Sequence, residues 1–191
     1  KQFPELLMNA VNGSIQSVML PVLSEQQDDL ERMKQTMRRS IMASSFLVLP
    51  LMAGLAAVAR PLVSLLLTDK WLPCVPFLQI CCIDFAFYPI HTANLQAINA
   101  MGRSDVFLKL EIIKKSYGIA ILCVTVFCFE GVLPIVWGAV VSTVISSFVN
   151  AFPNKKLIHY GYWEQIRDIL PPIGMSLVMF LSVCAKIGRA S

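Results

Sequence analysis

Residues 75–115 read VPFLQICCIDFAFYPIHTANLQAINAMGRSDVFLKLEIIKK. From 75 to 102 the only formally charged side chain is Asp84. A helix crosses bulk hydrocarbon with about 20 such residues. This stretch nevertheless keeps Asp84, His91, Asn94, Gln96 and Asn99 inside it, with Pro89 to bend it. It then breaks into Gly102, Arg103, Ser104 and Asp105 and a basic segment ending in Lys114 and Lys115. An apolar run with a polar interior and a cationic exit reads as a membrane helix that lines something wet.

The rest of the chain agrees. Hydrophobic residues make up 56% of 191 positions and charged ones 15%, against about 25% charged in globular proteins. Several runs approach or pass about 18 uncharged residues, the signature of membrane spans rather than core helices. The sequence predicts an all-α, polytopic transmembrane helix bundle. Its net charge of +4 argues for no nucleic-acid partner, because the basic residues sit between the apolar runs. The six cysteines lie in apolar stretches without metal-ligand spacing, where cysteine acts as a small hydrophobe. No cleavable signal peptide is visible. The missing initiator Met and the tail ending just after an apolar run suggest a piece of a longer protein.

Six spans are expected, at about 6–23, 41–67, 75–101, 108–129, 132–152 and 169–185, forming one bundle over 1–191. In the first, Asn9, Asn12 and Gln16 recur on one helical face, serving either interhelical hydrogen bonding or a cavity wall. The connector 24–40 keeps Leu30, Met33, Met37 and Ile41 at helical spacing. That suits an amphipathic helix at the interface, continuous with the next span, or a solvated loop. The second span holds Pro50 and Pro61, which invite kinks. It also holds Arg60, a charge that costs roughly 2.5–3.5 kcal/mol at a span centre. With antiparallel second and third spans, Arg60 and Asp84 lie about 10 and 14 Å from one membrane surface at 1.5 Å per residue. They can therefore pair, as a packing device or as part of a polar pathway. His91 shares the Asp84 face, bordered by Asn94.

Orientation follows from the connectors. Lysines and arginines number four between the first two spans (Arg32, Lys34, Arg38, Arg39) and one in the next connector (Lys70). Four follow (Arg103, Lys109, Lys114, Lys115), then none, then three (Lys155, Lys156, Arg167). The alternation places the first, third and fifth connectors in the cytoplasm. Lys186 and Arg189 fall on the wrong side. No nucleophile constellation, phosphate loop or metal-ligand box is present, so the residues predict neither an enzyme nor a cofactor. Polar helix faces, bent helices and basic cytoplasmic loops suit a transporter.

Three strings sharpen this: PVLS at 21–24, PLMAGLAAVARPLVSLLLTDKWLPCVPFLQI at 50–80 and PIHTANLQAINAMGRSDVFLKLEIIKK at 89–115. They resemble bacterial polysaccharide repeat-unit flippases, the O-antigen, capsule and exopolysaccharide exporters of the multidrug/oligosaccharidyl-lipid/polysaccharide superfamily. The resemblance implies a MATE-like fold of two helical lobes in a V, with this chain forming most of the C-terminal lobe and an N-terminal lobe missing. It implies an inner-membrane protein that moves undecaprenyl-diphosphate-linked oligosaccharide to the periplasmic leaflet, alongside a polymerase and a chain-length regulator. Asn9, Asn12, Gln16, Asn94 and Asn99 would then hydrogen-bond sugar, and Arg60 would meet diphosphate. The family favours an acid at 60 and a small residue at 84, so both departures together suggest a structural couple. The rival within transport is a cation-coupled small-molecule or drug exporter of the same fold, with Asp84 as the acidic ion site.

Overall fold

Asp29 starts the first long helix. Its carboxylate accepts a bond from the Arg32 amide at 3.1 Å, satisfying a donor that a helix start leaves over. The computed structural model describes residue 13 and residues 17–190. The expected span at 6–23, with Asn9, Asn12 and Gln16, therefore lies mostly outside the described residues. What is described of it is residue 13 and the helix over 17–25, called α1. Helix α2 covers Leu30–Ala57 and buries Met33, Met37, Ile41, Ser44, Val48 and Met52, a stripe at helical spacing. The charged connector and the second span are thus one rod, eleven positions longer at its start than the expected 41.

Two prolines cut the expected spans and others do not. Pro61 has no N–H for the Ala57 carbonyl, and its ring crowds that same group. Helix α2 stops there, and α3 restarts at Ala59–Leu67. A 3-10 segment, Asp69–Cys74, leads into α4, Val75–Ala86. Pro89 acts in the same way: α4 ends, and α5 covers Tyr88–Ala100 with proline in its first turn. Pro50 and Pro153 are absorbed inside helices. The remaining helices are α6, Ser104–Cys128, α7, Leu133–Leu157, and α8, Tyr162–Ala190. Helices α7 and α8 each pass beyond the limits expected at 152 and 169. Gly102 and Gly131 turn the chain before α6 and α7 at φ +65° and +102°, values open mainly to glycine.

Side-chain pairs reveal the helix directions. Lys34 meets Glu164 and Arg38 meets Asp168, so α2 and α8 advance together and run parallel. His91 meets Asn150 and Asn94 meets Asn154, so α5 and α7 are parallel too. Tyr117 bonds Ser146 at 2.5 Å, while a Cβ on Gly138 would lie 2.8 Å from Thr125. As one number rises the other falls, and α6 and α7 are antiparallel. Met19, Leu23, Met33, Ala100 and Ile158 share one core cluster, which gathers the connectors before α2, α6 and α8 at one end. Those are the basic connectors of the charge count.

The outer surface is apolar: Leu65 is 83% exposed and Phe127 86%, and Phe46, Ile119 and Leu177 are also exposed. Soluble monomers seldom show such continuous apolar faces. Four stretches, Leu30–Ala57, Asp69–Ala100, Leu133–Leu157 and Tyr162–Lys186, are long and apolar enough to cross a membrane. Helix α6, expected as a span at 108–129, carries Lys109, Glu111, Lys114 and Lys115 in its first half and is not among them. The described residues thus give four candidate spans where the sequence predicts six.

Candidate functional site

The polar residues of α5 divide into two groups. Asn94 is fully buried and sits at the centre of an amide knot. Its Nδ2 donates to Gln165 Oε1 at 2.8 Å, and Gln165 Nε2 returns a bond to Asn94 Oδ1 at 3.0 Å. Asn154 Nδ2 donates to the same Oδ1 at 2.7 Å and to the Asn94 carbonyl at 3.0 Å. One side chain thereby ties α5 to both α7 and α8. Interhelical amides of this kind form because hydrocarbon offers them no water.

The knot continues toward the basic end. Gln165 Nε2 also reaches the Tyr160 carbonyl at 3.3 Å, and the Tyr160 hydroxyl donates to Asp168 Oδ2 at 2.8 Å. Burial, reinforced by that carboxylate, raises the Tyr160 phenol above its ordinary value, so it stays a donor. Arg38 closes on the other Asp168 oxygen at 2.6 Å. Lys34 bonds the His159 carbonyl at 2.8 Å and Glu164 at 3.2 Å. These groups line a recess of about 410 Å³ that also takes in Arg167.

Mid-span, the second group is less completely matched. The Asn150 side-chain amide is hydrogen-bonded to His91 Nδ1 at 2.8 Å. The His91 ring lies 6.1 Å from that of Tyr88. Asp84 Oδ1 and Asn150 Oδ1, like Asn154 Oδ1 in the knot, are buried and accept no hydrogen bond. A buried acceptor without a donor is uncommon and costly, and it suits a passing hydroxyl or cation.

The expected Arg60–Asp84 pair does not form. The ion pairs among the described residues are Lys34–Glu164, Arg38–Asp168, Arg103–Asp105 and Lys114–Glu111. Helix α3 buries Ala59 and Val63, which turns Arg60 off that face into an exposed position. The couple inferred from the family departures is therefore absent. The break at Phe87 also separates Asp84 from the helix bearing His91, so a shared face no longer follows from their spacing. Asn99 is exposed near the end of α5, away from the knot.

Sequence reasoning missed Asn150, Asn154, Gln165, Tyr160 and Asp168. One signal was available: Asn150 and Asn154 stand four apart, matching His91 and Asn94 three apart, as two facing helices require. Ending the span at 152 hid it. Among the described residues no group of three His, Cys, Asp or Glu side chains is placed to hold a metal ion.

Apolar outer faces, long helices and a polar interior define a multi-helix membrane protein. The sequence profile of the family described as Polysaccharide biosynthesis protein matches residues 1–76. The chain is 27% identical over 181 residues to the Uncharacterized membrane protein in cps region of Klebsiella pneumoniae, covering 91% of this chain and 36% of that protein. It is 22% identical over 168 residues to the Lipopolysaccharide biosynthesis protein WzxC of Escherichia coli (strain K12), covering 87% and 34%. The chain spans about a third of the length of these curated relatives. No solved structure matches it significantly. The expected resemblance to polysaccharide biosynthesis membrane proteins is thus found, as distant similarity.

Proposed function

We propose that this chain is part of a bacterial inner-membrane transporter that moves polyprenyl-diphosphate-linked oligosaccharide repeat units from the cytoplasmic to the periplasmic leaflet. The observation that carries the reading is similarity over 87–91% of the chain to two proteins named for lipopolysaccharide biosynthesis and for a cps region. The polar interior supports it physically. Sugars lose hydration on entering hydrocarbon, and unmatched amide and carboxylate oxygens inside a bundle can accept from their hydroxyls in place of water. The remainder of the pathway would be supplied by a second lobe, with alternating access between the two. Catalytic residues have no part in this reading.

The test uses cells lacking the parent gene. A membrane-impermeant sugar-modifying probe is applied to intact cells and to inverted vesicles. Accumulation of the lipid-linked unit on the cytoplasmic face, with outward display restored by the full natural chain, is expected. An unchanged distribution in cells with no second flippase overturns the reading.

A second reading rests on Asp84. A carboxylate in a span whose Oδ1 accepts no hydrogen bond also suits a sodium or proton site in a cation-coupled small-molecule exporter. Drug efflux that collapses with the ion gradient, with no change in sugar display, would favour it.

A further inference from the structure

The two helices that border the basic recess, α2 and α8, also border an apolar trough. A trough of about 580 Å³ lies between α2, α4 and α8, walled by Met52, Ala53, Ile83, Ile173, Leu177 and Phe180. Its polar members are turned to their own needs. Gln79 Nε2 donates to the Ala56 carbonyl at 3.1 Å, and Ser176 Oγ to the Pro172 carbonyl at 2.7 Å. The trough therefore presents hydrocarbon to whatever occupies it.

Recess and trough are bordered by the same two helices, and Asp168 lines the one while its neighbour Ile169 lines the other. From 169 to 180 the α8 wall extends about 16 Å at 1.5 Å per residue. In the recess, Lys34 and Arg38 are engaged with Glu164 and Asp168. Arg167 is exposed and pairs with no carboxylate among the described residues. An uncommitted guanidinium two residues before Ile169, where the α8 wall of the trough begins, complements an anionic head on a long apolar chain.

We propose that the α2/α8 seam is a lateral docking site for the lipid carrier of the substrate, with diphosphate at Arg167 and one isoprenoid chain along the trough. This rests on the function proposed above. A single trough accommodates a single chain, which favours a polyprenyl diphosphate over a two-chain phospholipid. A diphosphate also brings more charge to Arg167 than a phosphodiester does.

The test uses the full natural chain in phosphatidylcholine nanodiscs and a polyprenyl diphosphate carrying a diazirine on its isoprenoid chain. Photolabelling is expected within 49–56 and 169–180. Arg167→Gln, a surface change, should weaken binding about tenfold, yet leave an uncharged polyprenol of equal length bound as before. Ile173→Trp should weaken both. An Arg167→Gln protein that binds the diphosphate unchanged overturns the site, as does displacement of the probe by equimolar phosphatidylglycerol. Labelling elsewhere in a protein that still displays the repeat unit outward overturns the site and leaves the function. Labelling in the trough of a protein that displays nothing outward upholds the site and overturns the function.

Discussion

The amide knot and the mid-span polar pair are both polar places inside an apolar bundle, and they treat their polar groups differently. In the knot every amide nitrogen of Asn94, Asn154 and Gln165 is used and Asn94 Oδ1 accepts twice, with Asn154 Oδ1 the one knot oxygen that accepts nothing. At mid-span Asn150 reaches His91, but Asp84 Oδ1 and Asn150 Oδ1 accept nothing. Individual interhelical hydrogen bonds in membranes average only about 0.6 kcal/mol. The knot's strength therefore lies in mutual dependence, since removing one member strands the others. The mid-span groups make a smaller tie, from Asn150 to His91. In the function proposed above, the knot serves architecture and the mid-span groups serve passage.

The largest effect should come from cutting the knot at its centre. Asn94→Leu leaves the Gln165 and Asn154 amides buried without their shared acceptor, at about 1–3 kcal/mol each. Fluorescence-detected gel filtration after heating should show a large loss of monodisperse protein. Wild-type heat resistance would mean that the knot does not govern packing. A packing lesion outside both regions calibrates that loss. Gly138→Val sets a side chain against Thr125 and Ile121, prising α6 from α7 at about 1–3 kcal/mol. The same heating series should place it below Asn94→Leu.

Tyr160→Phe removes one bond at the knot's rim and leaves Asp168 Oδ2 without its donor, a loss of about 1–2 kcal/mol. The thermal midpoint should fall modestly while transport per folded molecule stays unchanged. The smallest effect belongs to Arg60→Gln. An exposed residue without an ion-pair partner among the described residues should change stability by less than about 0.5 kcal/mol. A clear destabilisation that vanishes in the Asp84→Asn background would restore the ion pair that the structure lacks.

Much of the architecture is legible in the chain. The helix breaks follow from Pro61 and Pro89, and the helix directions agree with the alternation of lysine and arginine between connectors. The stripe of Met33, Met37 and Ile41 marks α2 before its apolar part begins. The knot was harder to read. Its members Asn94, Asn154 and Gln165 lie 60 and 71 residues apart in sequence, and two of them fall in a stretch whose polarity resembles a solvated connector. Only the helical continuation past Pro153 brings Asn154 inside. Arg60 misled for the opposite reason. Depth along the chain suggested proximity to Asp84, but the break at Val58 changed which face of α3 is buried.

The distinction between matched and unmatched polar groups is tested most directly by comparing Asp84→Asn with Asn94→Leu in the leaflet assay, each normalised to folded protein. Asp84→Asn should fold at wild-type levels and display the lipid-linked unit outward more slowly. Asn94→Leu should fold poorly, yet show a near-normal rate per folded molecule. The reverse pattern, with Asp84→Asn costing fold and Asn94→Leu costing rate, would contradict the account.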